Sequence, residues 1–398
     1  MTAVVDPFAL VAADDPYPAL GQLRSIAPVH WLPDRQAWVV TGYPEARRVL
    51  VDTDAFTSEA MADFVTRPGQ YDEESDGPTA VSIIGTDGEA HQRLRRIVNR
   101  GFTPRRVEPR RARIVEMAHE LAPGDASRVV DLQSTFADVL PAMVIADLLG
   151  VDRDRQAEFH RWSEAMMLAV FGSPTDEQAI EVESCLHAMG SWLDDTIATR
   201  HDLAGDDLIS VLLRAEAMED VLDHNELRTF VFTLLVAGSI TTAFLIGNGL
   251  LVAARHPEVW HGVASGHIAP ADFVEEVLRY DAPAQIMLRT CRRDTDLGGR
   301  QVRAGAIVAV ALGAANRDVR AFADPDRFRP APRDAPHLAF GYGPHFCLGA
   351  ALARLEATVA FEVLAQRASG IELAEPVSRL PSEFFRGPNH LMARLTPP

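Results

Sequence analysis

The chain has 398 residues, 47% of them hydrophobic, and a formal net charge of −18. That is ample apolar content for a large core, and the charge argues against nucleic acid or anionic lipid as a general partner. All 38 basic residues are arginines, and without lysine neither a Walker-A phosphate loop nor a pyridoxal Schiff base can form. The cysteines, Cys185, Cys291 and Cys347, are sparse and odd in number. They predict no disulfide framework and a reducing, cytoplasmic setting. Met1 to Pro7 has no basic leader pattern, and no run reaches the ~18 apolar residues of a membrane span, so the reading is a soluble protein without signal peptide or anchor. His-Glu-x-x-His, Gly-x-Ser-x-Gly and Gly-x-Gly-x-x-Gly are all missing, which removes the common zinc-protease, hydrolase and dinucleotide readings.

In chain order, the section to about Val51 mixes Pro-rich turns with a strand-like run, Trp38-Val39-Val40-Thr41. Phe56 to Gly88 reads as a long irregular loop, with a solvated acidic run at Asp72-Glu73-Glu74. From Glu89 to about Gly266 helical periodicity dominates, broken at Gly124, Gly150, Gly172-Ser173-Pro174 and Gly205. Within it, His91 to Arg113 carries Arg93, Arg95, Arg96, Arg100, Arg105, Arg106, Arg110, Arg111 and Arg113 against Glu108 alone. Asp223 to Ala254 predicts one helix of ~48 Å, apolar nearly all round and therefore central and buried. Asp272 to Tyr280 is helical and places Glu276 and Arg279 on one face. Short strands follow from Ala284 to Val310, with turns at Gly298-Gly299 and Gly305, and again after Gly370. The fold class is mainly α with a minor β portion, as a single domain over residues 1–398.

Cys347 stands in Phe340-Gly341-Tyr342-Gly343-Pro344-His345-Phe346-Cys347-Leu348-Gly349, and a helical pattern runs from Leu348 to Leu364. The glycines allow a sharp turn and leave room for a bulky group. Free amides and the positive helix end favour a thiolate over a thiol. A lone thiolate on such a loop suits haem iron.

The loop resembles the haem-binding signature of the cytochrome P-450 superfamily, Phe-Gly-x-Gly-x-His-x-Cys-x-Gly, at every fixed position. The resemblance runs over essentially the whole chain, with its motifs in the family's order, and points to the soluble bacterial type; the lysine-free composition fits a GC-rich, actinobacterial genome. It implies haem b held between a long central helix and the Cys-loop helix, with Cys347 on the iron and Phe340, Gly341 and Gly349 shaping the loop. It implies that His91, Arg95, Arg289 and His345 hold the haem propionates. Glu276 and Arg279 match the family's Glu-x-x-Arg pair, a buried structural element joined by a meander arginine, Arg327 or Arg329. Ala315-Asn316-Arg317-Asp318, Phe322 and Asp324 to Phe328 resemble the segment before the haem loop.

Ala237-Gly238-Ser239-Ile240-Thr241-Thr242 resembles the family's oxygen-binding motif, Ala-Gly-x-(Asp/Glu)-Thr-Thr. Ala237 and Gly238 would let haem and oxygen come close, and Gly238 would let the helix open. Thr241 would offer its hydroxyl to oxygen, and Thr242 is left between that role and back-bonding to a carbonyl. Ile240 departs from the motif, standing where the acid should be. The expected distal pocket draws on Ile83, Ile84, Leu234, Ile286, Met287 and Phe384. Arg93, Arg96 and Arg100 are expected in a docking patch for an acidic redox partner. The implied activity is a monooxygenase using O2 and electrons from ferredoxin and ferredoxin reductase. Its substrate would be an apolar or amphipathic small molecule, in secondary-metabolite biosynthesis. Ile240 keeps open a haem-thiolate enzyme for oxidative coupling or peroxide-driven oxidation, and more remotely a non-catalytic haem sensor.

Overall fold

The computed structural model describes residues 5–64, 82–124, 128–171, 174–200, 205, 207–215, 222–330 and 334–398. Most of the expected loop between Phe56 and Gly88, with its acidic run, lies outside the described residues. What is described there begins with the short strand Phe56–Thr57 and a 3-10 turn, Glu59–Phe64.

The helices that matter for the site are α1 (Gly88–Val98), α2 (Arg111–Leu121), α3 (Val139–Leu149), α4 (His224–Arg255), α5 (Pro270–Tyr280) and α6 (Ala350–Arg367). α4 is the long central helix read from the sequence. It starts in a capping box, with the Asp223 carboxylate accepting from the Glu226 amide at 2.8 Å and Glu226 accepting from the Asp223 amide at 3.0 Å. This satisfies two otherwise free donors of the first turn. It ends at His256-Pro257, where proline cannot continue the ladder. α4 has the length and composition of a membrane span, but 78% of its most apolar window is buried inside the protein, so it is the core helix.

α4 is not uniform. Between its α-helical halves, Val236–Ile240 forms a π turn. One wide turn in an otherwise regular helix re-aims the residues it carries, and such turns gather at functional sites. The local opening expected at Gly238 is thus present. Glycine there also has a packing role, since a Cβ would fall 2.8 Å from Ile145 Cδ1 on α3. Further along, a Cβ on Gly249 would fall 2.3 Å from Phe361 Cζ of α6. Phe361 itself packs edge-on against Phe273 of α5. The largest core cluster forms around these crossings, with Leu140, Ile246, Leu250, Trp260, Phe273 and Phe361 fully buried. Truncating such a side chain typically costs ~2–5 kcal/mol.

A five-stranded sheet flanks this helical body. Its strands are β1 (Val29–Leu32), β2 (Ala37–Val40), β3 (Phe56–Thr57), β4 (Ile286–Cys291) and β5 (Ile307–Ala311), in the order β1-β2-β5-β4-β3. β2 and β5 are parallel, and the other pairs are antiparallel. Successive side chains of β4 alternate between faces. Ile286 goes to an outer apolar cluster with Phe8, Val39 and Ala309, while Met287 and Arg289 face the central cavity.

Glu276 and Arg279 form a fully buried pair. Arg279 donates through Nε to Glu276 Oε2 at 2.9 Å and through Nη2 to Oε1 at 2.6 Å. Its remaining hydrogens go to the carbonyls of Asn316, Pro325 and Arg327. The third arginine side chain expected here does not join. The Arg329 amide donates to Glu276 Oε1 at 2.8 Å, and its guanidinium turns to the Ala323 carbonyl. Peptide dipoles complete the site and leave it neutral, whereas a second buried cation would carry an uncompensated charge. The pair thereby pins α5 to the segment leading into the Cys347 loop. Arg279→Ala is expected to cost ~3–5 kcal/mol in denaturant unfolding, because it strands the Glu276 carboxylate in the interior. An unchanged unfolding midpoint would show that the pair does not hold this segment.

Candidate active site

The Cys347 loop doubles back on itself. Gly341 and Gly343 take left-handed φ values of 69° and 76°, conformations that side-chain-bearing residues adopt only under strain. The Cys347 amide then closes the loop on the Phe340 carbonyl at 2.9 Å. Behind the loop, Arg354 of α6 lies 4.6 Å over the Phe340 ring and pairs with Glu275 of α5. His337 lies against the same carboxylate, and these partners hold Glu275 down to about 2 against the opposing effect of burial.

Sγ of Cys347 lies deep in the protein and still lines the cavity floor. Burial pushes its thiol up, and this outweighs the amides of Gly349 and Ala350 and the guanidinium groups of Arg95 and Arg354, which act in the other direction. The helix end favours the thiolate as expected, but it does not overcome desolvation by itself. A cation bound to sulfur supplies the rest.

The cavity above the thiol is about 290 Å³. Its lining includes Cys347, Phe340, Gly341, Gly349, His91, Arg95, Arg289, His345, Ala237, Gly238 and Thr241. The structure therefore brings together every expected haem-site and oxygen-site residue. Arg289 is only 6% exposed, and it donates through Nη1 to the adjacent Leu288 carbonyl at 2.7 Å. Arg95 donates to the Phe346 carbonyl at 2.7 Å. Among the described residues neither makes an ion pair. His91 Nε2 is buried without a hydrogen-bond partner. Burial and then the neighbouring His345 and Arg95 push this imidazole down to about 4. A Cβ on Gly349 would meet open space. A buried and a half-buried cation without counterions among the described residues, an orphaned imidazole nitrogen and space beside the thiol fit a flat group carrying carboxylates and a central metal.

His345 is more constrained than its motif position indicates. Its Nε2 bonds Asp87 Oδ1 at 2.8 Å, and its ring lies 4.0 Å from that of His91. Asp87 also accepts from Thr57 Oγ1 at 2.6 Å and from the Ser58 amide at 2.7 Å. Although burial works the other way, these donors hold the Asp87 carboxyl well below the usual carboxylate range. Sequence reasoning missed Asp87. Its one signal was its place four residues before His91, at the start of α1.

Both threonines of the oxygen motif donate to the carbonyl four residues back, Thr241 to Ala237 at 2.7 Å and Thr242 to Gly238 at 2.9 Å. Back-bonding therefore does not separate them. Exposure does, since Thr241 is half-exposed to the cavity and Thr242 is buried. Ile240 packs with Phe244 and Phe385, bordered by Val236, Ala284, Met287, Leu380 and Phe384. Ser239 is buried, its Oγ has no partner, and it does not line the cavity.

Of the expected pocket residues, Ile83, Ile84, Leu234 and Met287 line the cavity. Ile286 and Phe384 do not. Ile286 is on the opposite face of β4 from Met287. Phe384 packs edge-on against Phe8, 5.7 Å between centroids, and its neighbour Phe385 takes the cavity position. Leu50, Met61, Ile145, Met166, Phe230 and Phe232 also contribute, unannounced by any local motif. The arginine patch divides. Arg93 pairs with Glu226 of α4, Arg110 and Arg113 with Asp147, and Arg111 with Glu362. Arg96 and Arg100 are exposed.

A buried thiol facing a helical threonine across an apolar cavity with unpaired cations at its edge defines a haem-thiolate oxygenase. The chain belongs to the cytochrome P-450 family, whose model matches residues 27–264 and 271–369. It is 35% identical over 391 residues to 6-deoxyerythronolide B hydroxylase of Saccharopolyspora erythraea, covering 95% of each chain. A cytochrome P-450 from Chondromyces apiculatus superposes with a TM-score of 0.88 at 35% identity over 100% of both chains. One from Bacillus megaterium, solved with testosterone, gives 0.84 at 30% identity, covering 96% of this chain and 99% of the other. The protein is a cytochrome P-450 monooxygenase, with haem b and an axial cysteine thiolate.

Cys347→Ala is expected to abolish the red-shifted Soret band of the ferrous carbon monoxide complex, and survival of that band would remove Cys347 from the iron. Arg289→Ala is expected to lower haem content after gel filtration and to lower thermal stability of the holoprotein, because it leaves a shielded carboxylate without its cation.

Proposed function

We propose that this monooxygenase inserts one atom of O2 into an apolar or amphipathic small molecule of secondary metabolism, in the cytoplasm, with electrons from a ferredoxin and its reductase. The observation that carries the reading is the cavity, with its thiol floor, its threonine on the helix wall and almost entirely apolar surroundings. Such a lining binds by exclusion of water and leaves few polar contacts to fix orientation. Two relatives, a hydroxylase of 6-deoxyerythronolide B and a cytochrome P-450 solved with testosterone, support a bulky substrate of this kind.

Haem b, when bound, supplies oxygen activation, and the thiolate favours O–O cleavage. The residues of this chain divide the remaining work. Cys347 holds the iron, while His91, Arg95, Arg289 and His345 hold the two carboxylates. Ile83, Ile84, Leu234, Met287 and Phe385 keep water out and orient the substrate. Thr241 presents its hydroxyl where oxygen is reduced. Exposed Phe346 beside the thiol, with Arg96 on α1 and Arg100 in the 3-10 turn that follows it, supports docking of an acidic electron donor there. Arg93 is better read as a tie between α1 and α4.

A screen of macrolide aglycones and steroids by Soret shift, followed by turnover with ferredoxin, reductase and NADPH against peroxide alone, tests the reading. Product formed only with peroxide would favour the peroxide-driven alternative. Thr241→Ala is expected to raise the share of NADPH lost as peroxide several-fold, in line with the ~10²–10⁴-fold reach of general acid–base groups. Normal coupling in that variant would take oxygen handling away from Thr241. Ile240→Glu is expected to lose stability without gaining turnover, since its carboxylate would enter the Phe244–Phe385 cluster unpaired. Charge reversal at Arg100 and added salt are each expected to slow reduction by ferredoxin without changing substrate affinity. Reduction rates indifferent to both would refute the docking face.

A further inference from the structure

Phe385 lines the cavity and packs against Ile240 and Phe244. It stands on a tight turn, Ser382 to Arg386, outside any helix or named strand. A side chain on a turn keeps its place only as far as the backbone around it is held. Local bonds hold part of this one. Ser382 Oγ accepts from the Phe384 amide at 3.3 Å and from the Phe385 amide at 3.1 Å. The Arg386 amide donates to the Pro283 carbonyl at 2.8 Å.

A segment far away in sequence, the strap Asp6 to Asp14, grips the same turn at both ends. At one end Phe8, on the short helix Pro7–Leu10, packs edge-on against Phe384. Arg35 lies 5.0 Å over the Phe8 ring and pairs with Asp6 of the strap and Glu383 of the turn. At the other end is Arg386, which is 1% exposed. It donates through Nη1 to the carbonyls of Val11 at 2.7 Å and Ala13 at 2.5 Å, and through Nη2 to that of Asp14 at 2.7 Å. Its Nε goes to Asp281 Oδ1 at 2.7 Å. Asp281 also accepts from Arg379 at 2.9 Å and from the Tyr17 hydroxyl at 2.8 Å. Two buried guanidinium groups thus share one carboxylate, and the strap carbonyls take the remaining Arg386 hydrogens. If the strap moved, those donors would be stranded in the interior. Phe385 is the next residue along, ~3.8 Å away at Cα.

The turn also rests on the core. Asn248 of α4 donates to the carbonyls of Asp281 and Arg386, each at 2.9 Å. The strap differs from α4 in lying outside the cavity altogether. Phe8 belongs to the outer cluster with Val39, Ile286 and Ala309, on the face of β4 opposite Met287, and it does not line the cavity. Phe384 and Phe385 point to opposite sides of the turn, one to Phe8 and the next into the cavity. A displacement of Phe384 is therefore passed directly to Phe385.

We propose that Phe8 is a positioning residue of the substrate site. Through Phe384 it fixes how far Phe385 reaches into the cavity, and so sets which bulky apolar substrates fit and which carbon they present for oxidation. The last clause rests on the oxygenase reading, while the effect on cavity shape does not.

The test titrates the ferric holoenzyme with imidazole and with 4-phenylimidazole, followed by Soret shift. Both offer the same nitrogen to iron, and only the larger meets the aromatic wall. Phe8→Ala is expected to leave imidazole binding unchanged and to tighten 4-phenylimidazole several-fold, because the turn can retreat into the space left by the ring. Phe385→Ala is expected to tighten it at least as much. The double variant decides the route. If Phe8 acts through Phe385, adding Phe8→Ala to Phe385→Ala brings no further change in the ratio of the two affinities. Phe8→Leu, which keeps an apolar side chain behind Phe384, is expected to fall near wild type. Leu395→Ala serves as the packing control, since Leu395 is buried in the main helical core and in neither cluster around the turn. It is expected to lower thermal stability and leave the ratio alone. An unchanged ratio in Phe8→Ala, or an equal shift with and without the Phe385 ring, overturns the proposal. Absence of product from the wild type with any ferredoxin would instead overturn the oxygenase reading, and the azole titrations would still decide the role of Phe8.

Discussion

A sulfur anion in a protein interior is unstable until a cation is placed against it, and the proximal side of this molecule is built around that constraint. Burial raises the Cys347 thiol despite two helix-end amides and two guanidinium groups nearby. The loop must therefore be rigid enough to hold sulfur ready without being able to ionise it cheaply. Left-handed glycines fix its path. Arg354, shared between the Phe340 ring and Glu275, ties it to α5. The neutral Glu276–Arg279 pair ties the preceding segment to the same helix. Loop, α5 and α6 thus form one frame, and a shift in any of them would move the sulfur.

The opposite wall answers to a different demand. The cavity edge has too much positive charge for the protein alone, in Arg95 and Arg289, and a nitrogen on His91 with nothing to bond. Carboxylates of a bound group would satisfy all three. His345 is not free in the same sense, because Asp87 already holds its Nε2. Asp87 in turn is fastened to Thr57 and Ser58, so that the β3 end of the sheet helps to set the angle of this ring.

What the sequence revealed and what it hid follow from the range of the interactions involved. The Cys347 loop is local, spelled by glycines at fixed spacing, and it was legible outright. So was α4, because an apolar run bounded by Asp223 and Pro257 admits few other structures. That His91, Arg95, Arg289 and His345 line one cavity was expected only by resemblance, since no spacing joins His91 to Arg289. Ile286 and Phe384 were misplaced by one residue each. Alternation along a strand is visible in sequence, but its phase depends on which face the sheet turns to the cavity. Arg93 looked like part of a surface patch because Glu226 is far away in sequence. Glu356 looked like an ordinary charge in an Ala-Leu-Arg-Glu helix, and only the convergence of α4 and α6 shows that it is enclosed. The third arginine of the Glu-x-x-Arg site was expected from the family and is replaced here by main chain.

Glu226 closes the capping box of α4 and at the same time pairs with Arg93 of α1. α1 carries His91 and Arg95, and α4 carries the oxygen motif. A single carboxylate therefore couples the start of one helix to the placement of the other. The first turn of α4 can move only if α1 moves with it or the ion pair opens. Thermodynamically the two helices are not independent units. Substitutions at Glu226 and at Arg93 should be strongly non-additive, and a change made to one wall of the cavity will be felt in the geometry of the other.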